Sequence, residues 1–142
     1  MTRKVLIVED EPQNQFLFET LMEAFGYDYI TTDDGRDVVA LSRSHKPNLI
    51  LIDIQLPHIS GLDVVAQVRA DRDLKDTPII AVTAFAMRGD AQRILEAGCD
   101  AYMSKPISIE PFRNTINALL DGNTSLPEPP KRHPFAVSVA RQ

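Results

Sequence analysis

The sequence predicts an α/β domain in which a five-stranded parallel β-sheet is flanked by five helices. Three observations carry that prediction. Short apolar runs occur without polar alternation at Val5-Leu6-Ile7-Val8, Leu49-Ile50-Leu51-Ile52 and Ile79-Ile80-Ala81-Val82, the pattern of strands covered on both faces. Helical patterns fall between these runs, so strands and helices alternate, and right-handed crossovers between parallel strands are the packing solution. A chain of 142 residues with 44% hydrophobic residues has the size and apolar content of one domain.

Each element has its own local justification. The first strand, Val5 to Val8, leads into a helix that starts at Pro12, where a missing N–H costs nothing. Phe18, Leu21, Met22 and Phe25 fall at i, i+3, i+4 and i+7 along that helix, and Gly26 stops it. Tyr27 to Thr32 is more polar and reads as an edge strand. A weaker helical pattern covers Arg36 to Ser44, ahead of the third strand at Leu49 to Ile52. Leu62, Val65 and Val68 mark a helix over Gly61 to Ala70, ahead of the fourth strand at Ile79 to Val82. A helix over Asp90 to Ala97 stopped by Gly98, a weaker fifth strand at Ala101-Tyr102-Met103 and a helix over Pro111 to Leu120 complete the alternation. From Gly122 onward the composition changes, because Pro127, Pro129, Pro130 and Pro134 forbid a helix and favour extended chain. The folded domain is therefore expected over residues 1–121, with a Pro-rich flexible tail over 122–142. Phe135, Val137 and Val139 alternate within the tail and could dock on this domain's surface or on a partner.

Charge and special residues narrow the function class. The chain carries 15 basic and 20 acidic residues, a formal net charge of −5. Three basic residues against one acid put +2 on the tail and −7 on residues 1–121, which argues against direct nucleic-acid binding. Cys99 has no second cysteine to pair with, and no Cys/His zinc spacing occurs; small core packing is the expected role and a reducing cytosol the expected compartment. Four apolar residues between Lys4 and Glu9 are too few for a signal-peptide core, and no run approaches a membrane span. A cytoplasmic protein without membrane insertion is expected.

The residues that end the buried strands are Glu9 and Asp10, Asp53, Thr83 and Lys105. In a parallel sheet all of them fall on the carboxyl edge, where ligands of such folds bind. Taken singly, a carboxylate beyond a strand is a solvated loop residue, and Lys105-Pro106 could simply end a strand. Together they make a different case. Three carboxylates brought to one place repel unless a cation sits among them, and oxygen ligands without His or Cys suit Mg²⁺. Thr83 adds a hydroxyl donor and Lys105 a compact positive charge, both able to hold phosphoryl oxygens. With a carboxylate as nucleophile, such a set can form an aspartyl phosphate.

These residues resemble the receiver domains of two-component response regulators, through Val8-Glu9-Asp10, Asp53 with Leu56-Pro57 and Ser60-Gly61, Val82-Thr83-Ala84, and Lys105-Pro106. The resemblance spans about residues 3–121. Within the family, the segments from Asp53 to Leu62, Val82 to Asp90 and Gly98 to Ser108 are similar to single-domain regulators of bacterial cell division and polarity. The resemblance implies strand order 2-1-3-4-5, Asp53 as phosphoacceptor from a sensor histidine kinase or histidine phosphotransfer protein, and Mg²⁺ held by Glu9, Asp10, Asp53 and the Gln55 carbonyl. It further implies that Lys105, Thr83 and the Ala84 amide hold the phosphoryl group, with Thr83 and Tyr102 as a coupled switch. Output would be phosphorylation-dependent protein binding by a monomer or weak dimer, not turnover of a substrate. Gln55 and Phe85 occupy positions that in this family tune acyl-phosphate hydrolysis, although Phe85 could equally anchor the following helix in the core. Partners of the family dock around Asn14, Gln15, Phe18, Ile107 and Ser108. Glu9 stands where many members have Asp, which lengthens the metal reach and keeps the carboxylate.

Two other classes compete. A Mg²⁺-dependent phosphohydrolase using Asp53 as nucleophile would want an acid two residues later, and Gln55 is an amide. A nucleotide-binding module would want a Gly-rich phosphate loop, and the six glycines are scattered singly.

Overall fold

The computed structural model describes residues 3–84, 90–121 and 138–139. Strands β1 (Lys4–Val8), β2 (Asp28–Thr32), β3 (Leu49–Asp53), β4 (Ile79–Thr83) and β5 (Ala101–Ser104) alternate with helices α1 (Pro12–Phe25), α2 (Val38–His45), α3 (Gly61–Ala70), α4 (Asp90–Glu96) and α5 (Ile109–Leu120). The five strands pair in parallel in the order β2-β1-β3-β4-β5, as the sequence reading expected. Its boundaries move by one or two residues at several elements. The second helix is the clearest case: its start is a 3₁₀ turn over Gly35–Asp37, capped by the Asp34 carboxylate on the Arg36 N–H. A sixth strand was not expected. Ser138–Val139 (β6) pairs antiparallel with β5, Val139 opposite Ala101 and Ser138 opposite Tyr102, so this part of the tail lies on the sheet edge. Residues 122–137 and 140–142 lie outside the described residues.

Strand alternation sorts the core into two layers. Val5, Ile7, Leu49, Leu51, Ile80, Val82, Ala101 and Met103 face one side, where α1 and α5 supply Phe18, Leu21, Met22, Phe112 and Ile116. Leu6, Val8, Ile50, Ile52, Ile79 and Ala81 face the other, against Val38 of α2, Val64, Val65 and Val68 of α3 and Ile94 of α4. Every residue of β3 and β4 is buried, which is why their sequences do not alternate. Cys99 belongs to the second layer, and burial pushes its thiol up to about 12, consistent with a packing role and an inert sulfur.

Helix ends and crossovers are held by specific polar contacts. Pro12 opens α1, the Glu11 side chain accepts from the Gln13 N–H, and Gly26 closes the helix in the left-handed region at φ 86°, where a residue with a Cβ is strained. Arg69 at the end of α3 is a hub that no sequence pattern announced. Its guanidinium donates to the carbonyls of Gly98, Lys75 and Thr77 at 2.8 Å and to Asp100 at 3.0 Å. Asp100 in turn accepts from the Ile79 N–H at 2.8 Å, so α3 is tied to the entrances of both β4 and β5. Gly61 has a different role. A Cβ there would sit 2.4 Å from the Asp53 carbonyl oxygen and 2.7 Å from the Ile54 Cα, so the helix start is pressed against the end of β3.

Two substitutions test these supports. Gly61→Ala forces backbone at the end of β3 to move, and we expect a loss of about 1–3 kcal/mol in urea denaturation. Arg69→Leu leaves three carbonyls and a carboxylate without their charged donor, and about 2–3 kcal/mol should be lost in the same measurement.

Candidate functional site

Register brings the strand-end residues together. Val8 lies opposite Ile52, Asp53 opposite Val82 and Thr83 opposite Ser104, so Glu9, Asp53, Thr83 and Lys105 fall within one step of a common level. Asp53 is the last residue of β3 and Thr83 the last of β4. Glu9 is 1% exposed, Asp53 4% and Thr83 2%, whereas Asp10 is exposed. Oxygen atoms of Glu9, Asp10 and Asp53 lie within 4.8 Å of one another.

Lys105 lies between two of these carboxylates. Its Nζ donates to Asp53 Oδ2 at 2.8 Å and lies 3.0 Å from Glu9 Oε1. The two contacts differ in kind: the Glu9 approach is an ion pair without hydrogen-bond geometry, which leaves Oε1 buried and without a hydrogen-bond donor. Glu9 Oε2 accepts from the Glu11 N–H at 3.1 Å. Burial pushes the Glu9 carboxyl up to about 7, reinforced by the neighbouring Asp53 and opposed by Lys105. Burial alone would lower the Lys105 ammonium, but its contacts with Asp53 and Glu9 outweigh that and raise it. Lys105 is followed by a cis peptide bond to Pro106. The donor set fits a hard divalent cation: three carboxylates converge, and one buried carboxylate oxygen has no hydrogen bond of its own.

The other side of Asp53 is bounded by Gln55. The Gln55 N–H donates to Asp53 Oδ1 at 2.8 Å. The Gln55 side chain crosses to the end of β4, where Nε2 donates to Thr83 Oγ1 at 3.0 Å and Oε1 accepts from the Ala84 N–H at 3.2 Å. Sequence reasoning placed Gln55 near the site through its carbonyl and missed this side-chain bridge, because nothing local signals a contact with a residue 28 positions away.

The remaining expected residues are placed as follows. Tyr102 on β5 is partly buried against the second core layer. Phe85 lies outside the described residues. Asn14, Gln15, Ile107 and Ser108 are half-buried. Phe18 is corrected: it is 2% exposed and packs against Phe112 in the first core layer, so it cannot take part in docking. The same apolar stripe that predicted helix α1 could have excluded it. Its neighbours Phe16 and Leu17 are the exposed ones, at 71% and 38%, with Ile109 at 55% at the start of α5.

Known proteins resemble this chain in sequence and fold. The family model described as response regulator receiver domain matches residues 5–117. The polar-differentiation response regulator DivK of Brucella ovis is 52% identical over 120 residues, which cover 84% of this chain and 98% of that protein; DivK of Brucella anthropi is 51% identical over the same length. Among solved structures, the receiver domain of the sensor histidine kinase PA1611 from Pseudomonas aeruginosa PAO1, determined with a magnesium ion coordinated in its active-site cleft, superposes with a TM-score of 0.79 at 30% identity, covering 85% of this chain and 99% of that one. The receiver domain of the Francisella response regulator 1452 gives 0.79 at 26% identity, with 85% and 98% covered. With its fold, its strand-end residues and a family match over most of its length in agreement, the chain belongs to the response regulator receiver domain family.

Proposed function

We propose that this protein is a cytoplasmic single-domain response regulator that accepts a phosphoryl group on Asp53 and signals by phosphorylation-dependent protein binding, in the control of cell division and polarity. The observation that supports it most directly is the setting of Asp53. One carboxylate oxygen is held by Lys105 and the other by the Gln55 N–H, with the Thr83 hydroxyl and the Ala84 N–H gathered around the same Gln55 side chain. The likeness to DivK supports the cellular role. The donor is a phosphohistidine of a sensor histidine kinase or a histidine phosphotransfer protein.

In the proposed reaction an Asp53 oxygen forms a bond to phosphorus as the P–N bond to the donor imidazole breaks. Lys105 holds Asp53 in place and neutralises part of the charge on the transferred group. Thr83 and the Ala84 N–H bind its oxygens and so sense its presence. Glu9, Asp10, Asp53 and the Gln55 carbonyl would hold Mg²⁺, which when bound offsets the negative charge of the phosphoryl oxygens. Thr83 and Tyr102 then serve as the switch, because the phosphoryl group offers the Thr83 hydroxyl a strong acceptor only in the modified state. The protein thereby catalyses only its own phosphorylation and dephosphorylation, and the amide of Gln55 supplies no acid for a phosphohydrolase. Residues 1–121 suffice for this chemistry in the proposal, and 122–142 are dispensable for it.

Two measurements check the assignment. Asp53→Asn keeps shape but is a poor nucleophile, so intact-mass spectrometry after incubation with acetyl phosphate and Mg²⁺ should show a single phosphate adduct on the wild type and none on the variant. An undiminished adduct on Asp53→Asn would refute the acceptor assignment. Millimolar Mg²⁺ should raise the melting temperature of the unmodified protein, since relief of carboxylate repulsion favours only the folded arrangement. That gain should be absent in Asp10→Asn.

A further inference from the structure

The side chain of Gln55 occupies the two groups that the proposed function assigns to the phosphoryl oxygens. Its orientation is unambiguous: the Ala84 N–H can only donate, so Oε1 must face it, and Nε2 must then face Thr83. The two contacts, 3.2 Å and 3.0 Å, span the gap between the ends of β3 and β4. Through its main-chain N–H the same residue also holds Asp53 Oδ1 at 2.8 Å. One residue thus touches the acceptor carboxylate with its backbone and the two oxygen-binding donors with its side chain.

We infer that Gln55 is a latch on the unmodified state, its carboxamide standing in for the phosphoryl group until that group displaces it. This rests on the assignment of Thr83 and the Ala84 N–H as phosphoryl-binding groups. At Ala84 the exchange is like for like, a carbonyl oxygen for a phosphoryl oxygen. At Thr83 it is not. The amide Nε2 donates to the Thr83 oxygen, whereas a phosphoryl oxygen can only accept and so takes the hydroxyl's own proton instead. The latch therefore occupies the Ala84 N–H and fixes the Thr83 oxygen from the Gln55 side, and its departure gives the two states of the switch a defined chemical difference. Displacement is feasible because Gln55 is exposed while Thr83 is buried: the carboxamide can turn into water, which replaces its lost hydrogen bonds.

Two readouts on the full chain test this, one of them needing no phosphate. In Gln55→Ala the Ala84 amide loses its acceptor, and its hydrogen exchange, followed by NMR on the unmodified protein, should accelerate about fivefold or more. Gln55→Glu keeps an oxygen at that place and should retain the protection. With acetyl phosphate and Mg²⁺, the Asp53 adduct should form about fivefold faster in Gln55→Ala than in wild type. In Gln55→Glu it should form more slowly, because the added carboxylate faces the incoming group. Unchanged Ala84 exchange in Gln55→Ala, or an adduct that forms no faster than in wild type, overturns the latch while leaving Asp53 as the acceptor. Absence of any adduct on the wild type would instead remove the functional reading on which the latch rests, and the latch with it.

Discussion

The Lys105 ammonium, 2.8 Å from Asp53 and 3.0 Å from Glu9, allows two carboxylates to be buried at the carboxyl edge of this sheet. Moving an isolated carboxylate out of water costs several kcal/mol even after the surroundings relax. Glu9 and Asp53 are both almost fully buried, and each raises the electrostatic cost of the other. One cation shared between them offsets part of that cost. The remainder is visible in Glu9, whose carboxyl is pushed up to about 7, and in its Oε1, which has the charge of Lys105 nearby but no hydrogen bond. The edge thus carries more negative charge than its own lysine balances, which is the electrostatic setting that suits a divalent cation.

That setting exists only because the sheet is rigid and its strands end together. β3 and β4 are buried along their whole length, between α1 and α5 on one side and α2, α3 and α4 on the other. A one-residue slip of either strand would exchange the two core layers and turn Asp53 or Thr83 to the opposite face. The contact of Gly61 with the Asp53 carbonyl and the four-acceptor hub at Arg69 limit movement of the crossovers on either side of β4. Packing far from the charged edge therefore determines distances at it.

Within that frame the described residues of the site differ in how firmly they are held. Lys105 and Glu9 are confined by burial and by each other. Gln55 is exposed and holds Thr83 and Ala84 through neutral hydrogen bonds, each worth about 0.5–1.5 kcal/mol net. Those bonds are strong enough to bias a rotamer and weak enough to yield to a charged group, which makes roughly twice as strong a hydrogen bond. On β5, Tyr102 lies beside the pairing with Ser138–Val139, so the outer edge of the sheet nearest that aromatic is covered by the chain's own C-terminal segment.

The sequence by itself determined the alternation of strands and helices, the start of α1 at Pro12 and its end at Gly26, and the strand-end positions of Glu9, Asp53, Thr83 and Lys105. These are legible because apolar periodicity and turn chemistry act over a few residues, and because in a parallel sheet the last residue of every strand falls on the same edge. Only the tertiary structure decided that Arg69 reaches four acceptors up to 31 residues away, that Ser138–Val139 pairs with β5, and that the Gln55 carboxamide closes on Thr83 and Ala84. The reason is range. A side chain's partner across two strands depends on register and on the direction it takes from the backbone, and both follow from packing of the whole sheet, of which no short window of sequence holds a trace.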